Sequence, residues 1–276
     1  MVLWLALAHA GFVDEAALRG ADIGDVKYAG MVFSDVDGDG WADLLMHVDE
    51  PDSSMVILMN DQTGFFTPLG GINALKDGDC ERQLLVADLD HDGHKDLVRT
   101  GCGLVIWSYV GGAKPFGLAP TFEYVPPYSN TEGAGLIDVD GDGWLDILAE
   151  DGGKIVVITM AGGIPAVSSV DHGLPDADAD HDYVTTTDVN GDGLVDFLVR
   201  SDTQSLWLQG PPGNFSPAPL AALSSSDNKG GVAPCDVDGD GDLDLLWAGA
   251  EPPSGASNYD PTPDVFLFVN GGSSWA

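Results

Sequence analysis

The chain has 276 residues, of which 44% are hydrophobic and 8% aromatic, which is enough apolar material for a packed core and argues against global disorder. Acidic residues number 45 and basic residues 10, giving a formal net charge of −35. This balance excludes nucleic-acid binding through a basic patch and disfavours binding to an anionic membrane surface. The sequence contains no run of 18 apolar residues, so we expect no membrane span.

The first ten residues, MVLWLALAHA, combine an apolar run with an Ala8-His9-Ala10 ending typical of a signal-peptidase site. They lack a basic start and are short for a complete signal peptide. We interpret residues 1–10 as the remnant of a signal peptide, with a strand of an extra sheet as the alternative. Residues 11–276 are then one domain.

A motif with the pattern DxDxDGxxD recurs five times along the rest of the chain. The first Asp of each copy is Asp35, Asp88, Asp138, Asp188 or Asp236, so the copies are 53, 50, 50 and 48 residues apart. A repeat of about 50 residues lies in the range of propeller blades.

Short apolar stretches surround each motif in a fixed order. In the first repeat they are residues 30–33, 42–48, 55–60 and the weaker 65–69. Runs of four to seven residues rich in Val, Ile, Leu and Phe, bounded by Gly, Pro, Asn and Asp, predict strands, and no window of 12 or more residues has a helical period. We therefore predict an all-β fold, a β-propeller of five four-stranded antiparallel blades. The last repeat lacks a full fourth strand, which residues 11–18 can supply to close the ring.

Each motif places oxygen ligands at loop positions 1, 3, 5 and 9 and a glycine at position 6. Ca²⁺ binds six to eight oxygens at roughly 2.3–2.6 Å, and clustered carboxylates repel strongly without a cation. Position 7 can add its backbone carbonyl. These loops contain 19 of the 38 Asp residues at ligand positions, against only 7 Glu in the chain. We predict up to five Ca²⁺ ions, with the ligands Asp35, Asp37, Asp39, Trp41, Asp43, Asp88, Asp90, Asp92, His94, Asp96, Asp138, Asp140, Asp142, Trp144, Asp146, Asp188, Asn190, Asp192, Leu194, Asp196, Asp236, Asp238, Asp240, Asp242 and Asp244.

Two other interpretations of the loops are less consistent with the residues. A plain hairpin turn needs one Asp or Asn and a glycine, not four acids at fixed offsets. An EF-hand needs a bidentate Glu at position 12 between helices. Position 12 holds other residues in predicted strands, namely Met46, Arg99, Ala149, Val199 and Trp247. Mg²⁺ is less suited than Ca²⁺ to an all-protein cage of this size.

This loop, followed by a strand and a segment such as NDQTGFF (60–66) or GPPGNF (210–215), resembles the FG-GAP/VCBS repeat, and the likeness spans residues 25–276. The resemblance implies a propeller of the kind found in integrin α-subunits and bacterial surface proteins, with a calcium loop joining the first and second strands of each blade. The best-known relatives close seven blades, whereas five are counted here. The chain is then either a five-bladed ring or part of a six- or seven-bladed one.

Cys80 and Cys102 flank the second motif and can face each other across a hairpin. A disulfide between them fits an oxidising compartment, and two buried free thiols are the alternative. Cys235 is expected to be a small core residue. Together with the signal-like start, this pattern predicts a secreted or cell-surface protein.

No familiar catalytic motif occurs, so we expect a monomeric recognition or adhesion module that binds a protein or glycan. A carbohydrate-active hydrolase or lyase and a scaffold module without a ligand remain alternatives. Asp180 and His181 are candidate ligand residues, and the alternative is that they belong to a solvated connector between blades. A second candidate group lies in the 249–264 loop, on the face opposite the metal loops. That group consists of Asn258, Tyr259 and Asp260. Trp41 and Trp144 are expected to pack between blades or to stack on sugar rings.

Overall fold

A computed structural model describes about two thirds of the chain. The described residues are 14–23, 27–50, 54–69, 82–112, 115–117, 119–125, 131, 133–151, 154–174, 184–199, 206–211, 213–218, 232–249 and 264–270. Statements about structure below refer to these residues.

The described residues form nineteen strands in five antiparallel sheets, and each sheet uses strands that follow one another in the chain. The first sheet contains β1 (Lys27–Ser34), β2 (Asp43–Glu50), β3 (Ser54–Asn60) and β4 (Phe66–Pro68). The second contains β5 (Leu84–Ala87), β6 (Asp96–Arg99), β7 (Leu104–Trp107) and β8 (Phe122–Tyr124). The third contains β9 (Ala134–Ile137), β10 (Asp146–Asp151), β11 (Lys154–Thr159) and β12 (Ala166–Val167).

The fourth and fifth sheets continue this pattern. The fourth contains β13 (Val184–Thr187), β14 (Asp196–Val199), β15 (Leu206–Gln209) and β16 (Phe215–Ala218). The fifth has three described strands, β17 (Val232–Cys235), β18 (Asp244–Gly249) and β19 (Asp264–Phe268). The predicted all-β fold with four-stranded antiparallel sheets is therefore confirmed for the first four repeats.

The second strand of each inner sheet is buried on both faces. In β6, Leu97 points into the layer shared with the first sheet and Val98 into the layer shared with the third, and both side chains are 0% exposed. Successive side chains of a strand point to opposite faces, so a central strand covered on both sides is apolar at consecutive positions. This explains why these segments are continuous apolar runs in the sequence.

Four apolar layers join the five sheets in chain order. Residues of the first and second sheets share one layer, and the same holds for the second and third, the third and fourth, and the fourth and fifth. Neighbouring first strands lie close together at two glycines. A β-carbon on Gly30 would be 2.9 Å from the carbonyl oxygen of Arg82, and one on Gly135 would be 2.4 Å from Cγ2 of Thr186. Only glycine fits at these two approaches.

The first and fifth sheets each have an outward face that is partly exposed. On the first sheet, Ala21 and Ile23 of the preceding segment pack against Leu44, Met46 and Leu58. Beyond that cover the first and fifth sheets expose large apolar side chains, which are Met31, Phe33, Leu246 and Leu267.

Three sequence predictions need correction or further comment. A single-turn helix, α1 (Ala16–Arg19), occupies part of residues 11–18, which were predicted to supply a strand to the last repeat; none of residues 14–18 is in a strand, and the positive-φ Gly20 ends the helix. A 3₁₀ turn at Ala161–Gly163 also occurs where no helix was expected. The third sheet also has a fourth strand, the two-residue β12, which is too short for a sequence pattern. Residues 1–13, with the predicted boundary at residue 10, lie outside the described part.

Candidate metal centre

The five Asp-rich motifs form loops between the first and second strands of each sheet, as predicted. We number them loop 1 (35–43), loop 2 (88–96), loop 3 (138–146), loop 4 (188–196) and loop 5 (236–244). Position 1 directly follows the first strand, and position 9 is the first residue of the second strand. All five therefore open at the same end of their sheets.

The position-1 carboxylate organises the turn of its own loop. In loop 3, the Gly141 N–H donates to Asp138 Oδ1 at 2.8 Å and the Gly143 N–H donates to Asp138 Oδ2 at 2.9 Å. Loops 1, 4 and 5 repeat both bonds. Position 6 has a φ between 88° and 97° in all five loops, a conformation that favours glycine.

Loop 2 departs from this pattern at position 4, where His91 replaces the usual glycine with a φ of 54°. Of the two bonds to the position-1 carboxylate, loop 2 makes one among the described residues: the Gly93 N–H donates to Asp88 Oδ2 at 3.1 Å. Oδ1 of Asp88 is buried and has no hydrogen-bond partner among the described residues. A buried carboxylate oxygen without a donor is costly, and a cation would satisfy it.

Positions 3 and 5 form successive side-chain turns. In loop 1, the Asp39 N–H donates to Asp37 Oδ1 at 3.2 Å, and the Trp41 N–H donates to Asp39 Oδ1 at 2.9 Å. The other four loops repeat this pair, with Asn190 taking the first role in loop 4. These bonds use one side-chain oxygen at each position. The other oxygen of Asp39 accepts from Gln62 Nε2 at 3.0 Å, and that of Asp192 accepts from Asn190 Nδ2 at 3.1 Å. Each carboxylate oxygen has two lone pairs, so these contacts leave room for a cation.

The position-9 carboxylate has a second role that the sequence analysis missed. In loop 4, Asp196 Oδ2 accepts from the Val189 N–H at 3.0 Å, and Oδ1 accepts from the Gln209 N–H at 2.8 Å. Asp196 is 0% exposed, and the position-9 residues of the other loops are at most 1% exposed. All five loops make both bonds. This residue ties its own loop to the end of the third strand. Its partner is the last residue of that strand in the first and fourth sheets, and lies one or two residues beyond the strand in the others.

Burial of these carboxylates shifts their protonation. Desolvation raises the pKa of Asp146 and of Asp196 to about 6, because the two backbone N–H donors that favour the charged form do not offset it. The same cause raises the pKa of Asp43 and of Asp96. In loop 5 a hydrogen bond with the Asp240 side chain raises the pKa of Asp242 to about 6. A cation in the loop would oppose each of these shifts by favouring the charged carboxylates.

Four of the loops bring three carboxylates to one point. The groups are Asp35, Asp37 and Asp39; Asp88, Asp90 and Asp96; Asp138, Asp140 and Asp146; and Asp236, Asp238 and Asp244. Within each group one oxygen per residue lies within 4.8 Å of the others. Ligands on opposite sides of one Ca²⁺ are about 5 Å apart, so this spread fits a single ion of that size. The four groups can hold a metal ion.

Other predicted ligands are outside these groups. The four groups leave out the position-5 residues of loops 2, 3 and 5, which are Asp92, Asp142 and Asp240. They also leave out Asp43, at position 9 of loop 1. Loop 4 has the same local hydrogen bonds but carries an amide, Asn190, at position 3. Position 12 lies in the second strand. Its described side chains are buried, which leaves no ligand where an EF-hand has its Glu.

The remaining predicted site residues have mixed outcomes. Cys102 is disulfide-bonded and Cys235 is a free, half-buried thiol, whereas Cys80 lies outside the described residues, so the pair Cys80–Cys102 stays a prediction. Asp180, His181, Asn258, Tyr259 and Asp260 also lie outside them. The two position-7 tryptophans differ: Trp41 is exposed, while Trp144 is half-buried and stacks on His91.

Comparison with known families agrees with the loop geometry. The model of the FG-GAP-like repeat matches residues 30–99, 138–199 and 188–247, which together are more than half of the chain. The chain belongs to the FG-GAP-like repeat family. Comparison with curated proteins gave no significant match.

Two solved structures show a partial likeness to this chain at low sequence identity. The V. cholerae biofilm matrix protein Bap1 is 18% identical with a TM-score of 0.49, and the match covers 81% of this chain and 35% of that one. The Photorhabdus luminescens Tc holotoxin pore is 17% identical with a TM-score of 0.46, covering 89% of this chain and 11% of that one. This chain thus spans about a third or less of the length of these structures. In the described part of this chain, no helix has the length and apolar character needed to cross a bilayer.

Proposed function

We propose that this FG-GAP-like chain is a calcium-binding module in which each loop holds one Ca²⁺, up to five in all. The observation that carries the proposal is the convergence of three carboxylates within 4.8 Å in four of the loops. Supporting it, the donor set is all oxygen, and Asp88 Oδ1 is buried without a donor. Oxygen-only sites with several carboxylates are typical of Ca²⁺.

The residues of each loop would divide the binding between them. Positions 1, 3 and 5 would coordinate through the oxygens that face the loop centre, position 7 through its carbonyl, and position 9 from the buried side. Bound Ca²⁺ supplies positive charge that offsets the mutual repulsion of these carboxylates. The ion would therefore stabilise the loop and, through position 9, the end of the third strand.

Native mass spectrometry with and without a chelator tests this proposal. We expect up to five Ca²⁺ ions per chain, and one fewer in Asp138→Ala, where loop 3 loses its position-1 ligand. Glu123→Gln is the matched control, since it removes one exposed acidic charge outside the loops and should leave the ion count unchanged. A chain that binds no Ca²⁺ at millimolar concentrations, with a Tm that a chelator does not alter, would contradict the proposal.

We further propose that the five sheets are the blades of a closed β-propeller formed by residues 11–276. Two observations support closure: neighbouring first strands approach closely at Gly30 and Gly135, and the outward faces of the first and fifth sheets are both apolar. Packing Met31 and Phe33 against Leu246 and Leu267 would bury what remains exposed of these side chains. Because each is already partly covered, it would contribute roughly half of the about 1.5–3 kcal/mol expected for burying a fully exposed side chain.

Small-angle scattering distinguishes the closed ring from its alternatives. A compact 276-residue monomer has a radius of gyration of about 19 Å. We expect that value in Ca²⁺ at low protein concentration. A clearly larger radius for a monomer would indicate an open stack, and an association through the exposed faces would indicate that the chain is part of a larger ring.

The role we propose is recognition or adhesion outside the cell, at the cell surface or in a secreted assembly. The net charge of −35 and the family membership support a protein or glycan partner rather than nucleic acid. A glycan array and a partner pull-down, each with Ca²⁺ and with a chelator, test this role. Turnover of a polysaccharide that is lost on substituting Asp180 or His181 would instead favour an enzyme.

A further inference from the structure

We propose that loops 3, 4 and 5 bind their cations cooperatively because two buried amide side chains, Gln209 and Asn270, link each loop to the next. This inference rests on the proposed calcium function and assigns both residues as positioning residues. Neither residue belongs to the repeated Asp motif.

The first link joins loop 4 to loop 3. The backbone N–H of Gln209 donates to Asp196 Oδ1 at 2.8 Å. Its side-chain Nε2 donates to the carbonyl oxygens of Asp138 at 2.8 Å and Val139 at 3.2 Å, which are positions 1 and 2 of loop 3. Gln209 is 4% exposed, so one buried residue spans the two loops.

The bonds continue beyond Gln209 in loop 3. The N–H of Val139 donates to Asp146 Oδ2 at 3.0 Å. Asp146 and Asp196 are the position-9 carboxylates of their loops and are each at most 1% exposed. The two carboxylates are therefore joined through Val139 and Gln209 by hydrogen bonds between buried groups.

The second link repeats this arrangement between loops 4 and 5. The N–H of Asn270 donates to Asp244 Oδ1 at 2.9 Å, and its Nδ2 donates to the Val189 carbonyl at 3.3 Å. The N–H of Val189 donates to Asp196 Oδ2 at 3.0 Å. Asp146, Asp196 and Asp244 are thus connected in one line across three sheets.

Loops 1 and 2 are not part of this line among the described residues. The position of Gln209 is taken in the second sheet by Tyr109, whose ring stacks on His94, and in the third by the apolar Met160. In the first sheet Asn60 occupies it, but its side-chain amide donates to Ala42 of its own loop. The amide link is therefore specific to the last three sheets.

The line has a physical consequence for binding. A cation at position 9 of loop 4 fixes the Asp196 carboxylate, which fixes Gln209 and with it the backbone of positions 1 and 2 in loop 3. When loop 4 has bound its cation, this part of loop 3 is already ordered, so loop 3 loses less conformational entropy when it binds its own cation. The effect is reciprocal, because coupling between two binding equilibria acts equally in both directions.

Each loop carries its own reporter for the test. The position-6 glycine N–H donates to the position-1 carboxylate in every loop, so its NMR amide signal should shift when Ca²⁺ binds there. The full chain labelled with ¹⁵N is titrated with Ca²⁺, following Gly143 for loop 3 and Gly193 for loop 4. The measurement is repeated with Asp192→Ala, which removes a ligand of loop 4 outside the line.

We expect Asp192→Ala to raise the Ca²⁺ midpoint at Gly143 about fivefold or more. Gln209→Met introduces the residue type that the third sheet has at this position, Met160. In that background, Asp192→Ala should shift the Gly143 midpoint less than twofold. Gln209→Asn should keep part of the coupling, since Asn270 makes the equivalent bond with a shorter side chain. Gln62→Met is the matched control, because its amide contacts Asp39 in the loop of its own sheet and should leave the Gly143–Gly193 coupling intact.

A second pair keeps the test decisive if Gln209→Met does not fold. Asp240→Ala should raise the midpoint at Gly193, and Asn270→Leu should abolish that effect. An unchanged Gly143 midpoint in Asp192→Ala overturns the coupling, and an equal shift with and without Gln209 overturns the link. If no glycine signal responds to Ca²⁺ in the unsubstituted chain, the calcium function itself fails.

Discussion

The imidazole ring of His91 stacks on the indole of Trp144, with the ring centroids 4.0 Å apart and the planes inclined by 14°. His91 is position 4 of loop 2 and Trp144 is position 7 of loop 3, so the contact joins two Asp-rich loops of neighbouring sheets. It accounts for a side chain at a position where the other loops have a positive-φ glycine.

Two substitutions of His91 should separate the stabilisation from ring stacking from the cost of its left-handed backbone conformation. His91→Ala loses the stacking, worth about 0.5–1.5 kcal/mol, and keeps the left-handed φ. His91→Gly loses the same stacking but removes a strain of about 1–2 kcal/mol. We expect His91→Gly to unfold close to the wild type in urea and His91→Ala to be less stable by about 1 kcal/mol; the reverse order would contradict this account.

Stability of the metal-free protein should fall as the pH rises from about 4 to about 6. The pKa of Asp146 and of Asp196 is raised to about 6 from an ordinary value of 3.8, so the folded state binds protons more tightly than the unfolded state. Their contribution is complete below pH 4, is lost as the pH passes 6, and is constant above that. Urea unfolding across this range, after removal of metal, measures it.

One variant and one change of condition provide controls for the pH experiment. Asp196→Asn cannot titrate, so it should show a smaller decrease between pH 4 and pH 6. Saturating Ca²⁺ should reverse the trend, because the cation binds the charged carboxylates and competes with protons. A metal-free protein that becomes steadily more stable from pH 4 to pH 6 would show that other groups dominate.

Gly173 should tolerate no side chain. It has a φ of 70°, and a β-carbon there would lie 2.6 Å from the backbone carbonyl oxygen of Phe215. Gly162 has a similar φ of 64° with nothing within 4 Å. We expect Gly162→Ala to cost about 1 kcal/mol from the conformation alone and Gly173→Ala to cost clearly more, as measured by thermal and urea unfolding.

Peptide mapping without reduction should find Cys80 joined to Cys102. Cys102 is disulfide-bonded and Cys235 is free, and the chain contains three cysteines. Alkylation before reduction should label Cys235 alone. Labelling of all three residues in the protein purified from an oxidising compartment would show that Cys80 and Cys102 are also free thiols, which is the alternative.

Much of the site was predictable because the relevant residues are close in the chain. The alternation of four oxygens with a glycine at position 6 is a local property of nine residues, and the first and second strands follow from apolar runs on either side. The two-residue β12 and the single-turn helix α1 were not predictable, because two residues are too few for an apolar run and a single helical turn shows no helical period.

The sequence by itself determined the five repeats, the all-β class and the converging carboxylates, since each depends on neighbours within one hairpin. The tertiary structure alone decided that position 9 fixes the end of the third strand, that His91 meets Trp144, and that Gln209 reaches a loop 71 residues earlier. These contacts depend on how the sheets pack face to face, and a residue's role across that packing leaves no local pattern in the chain.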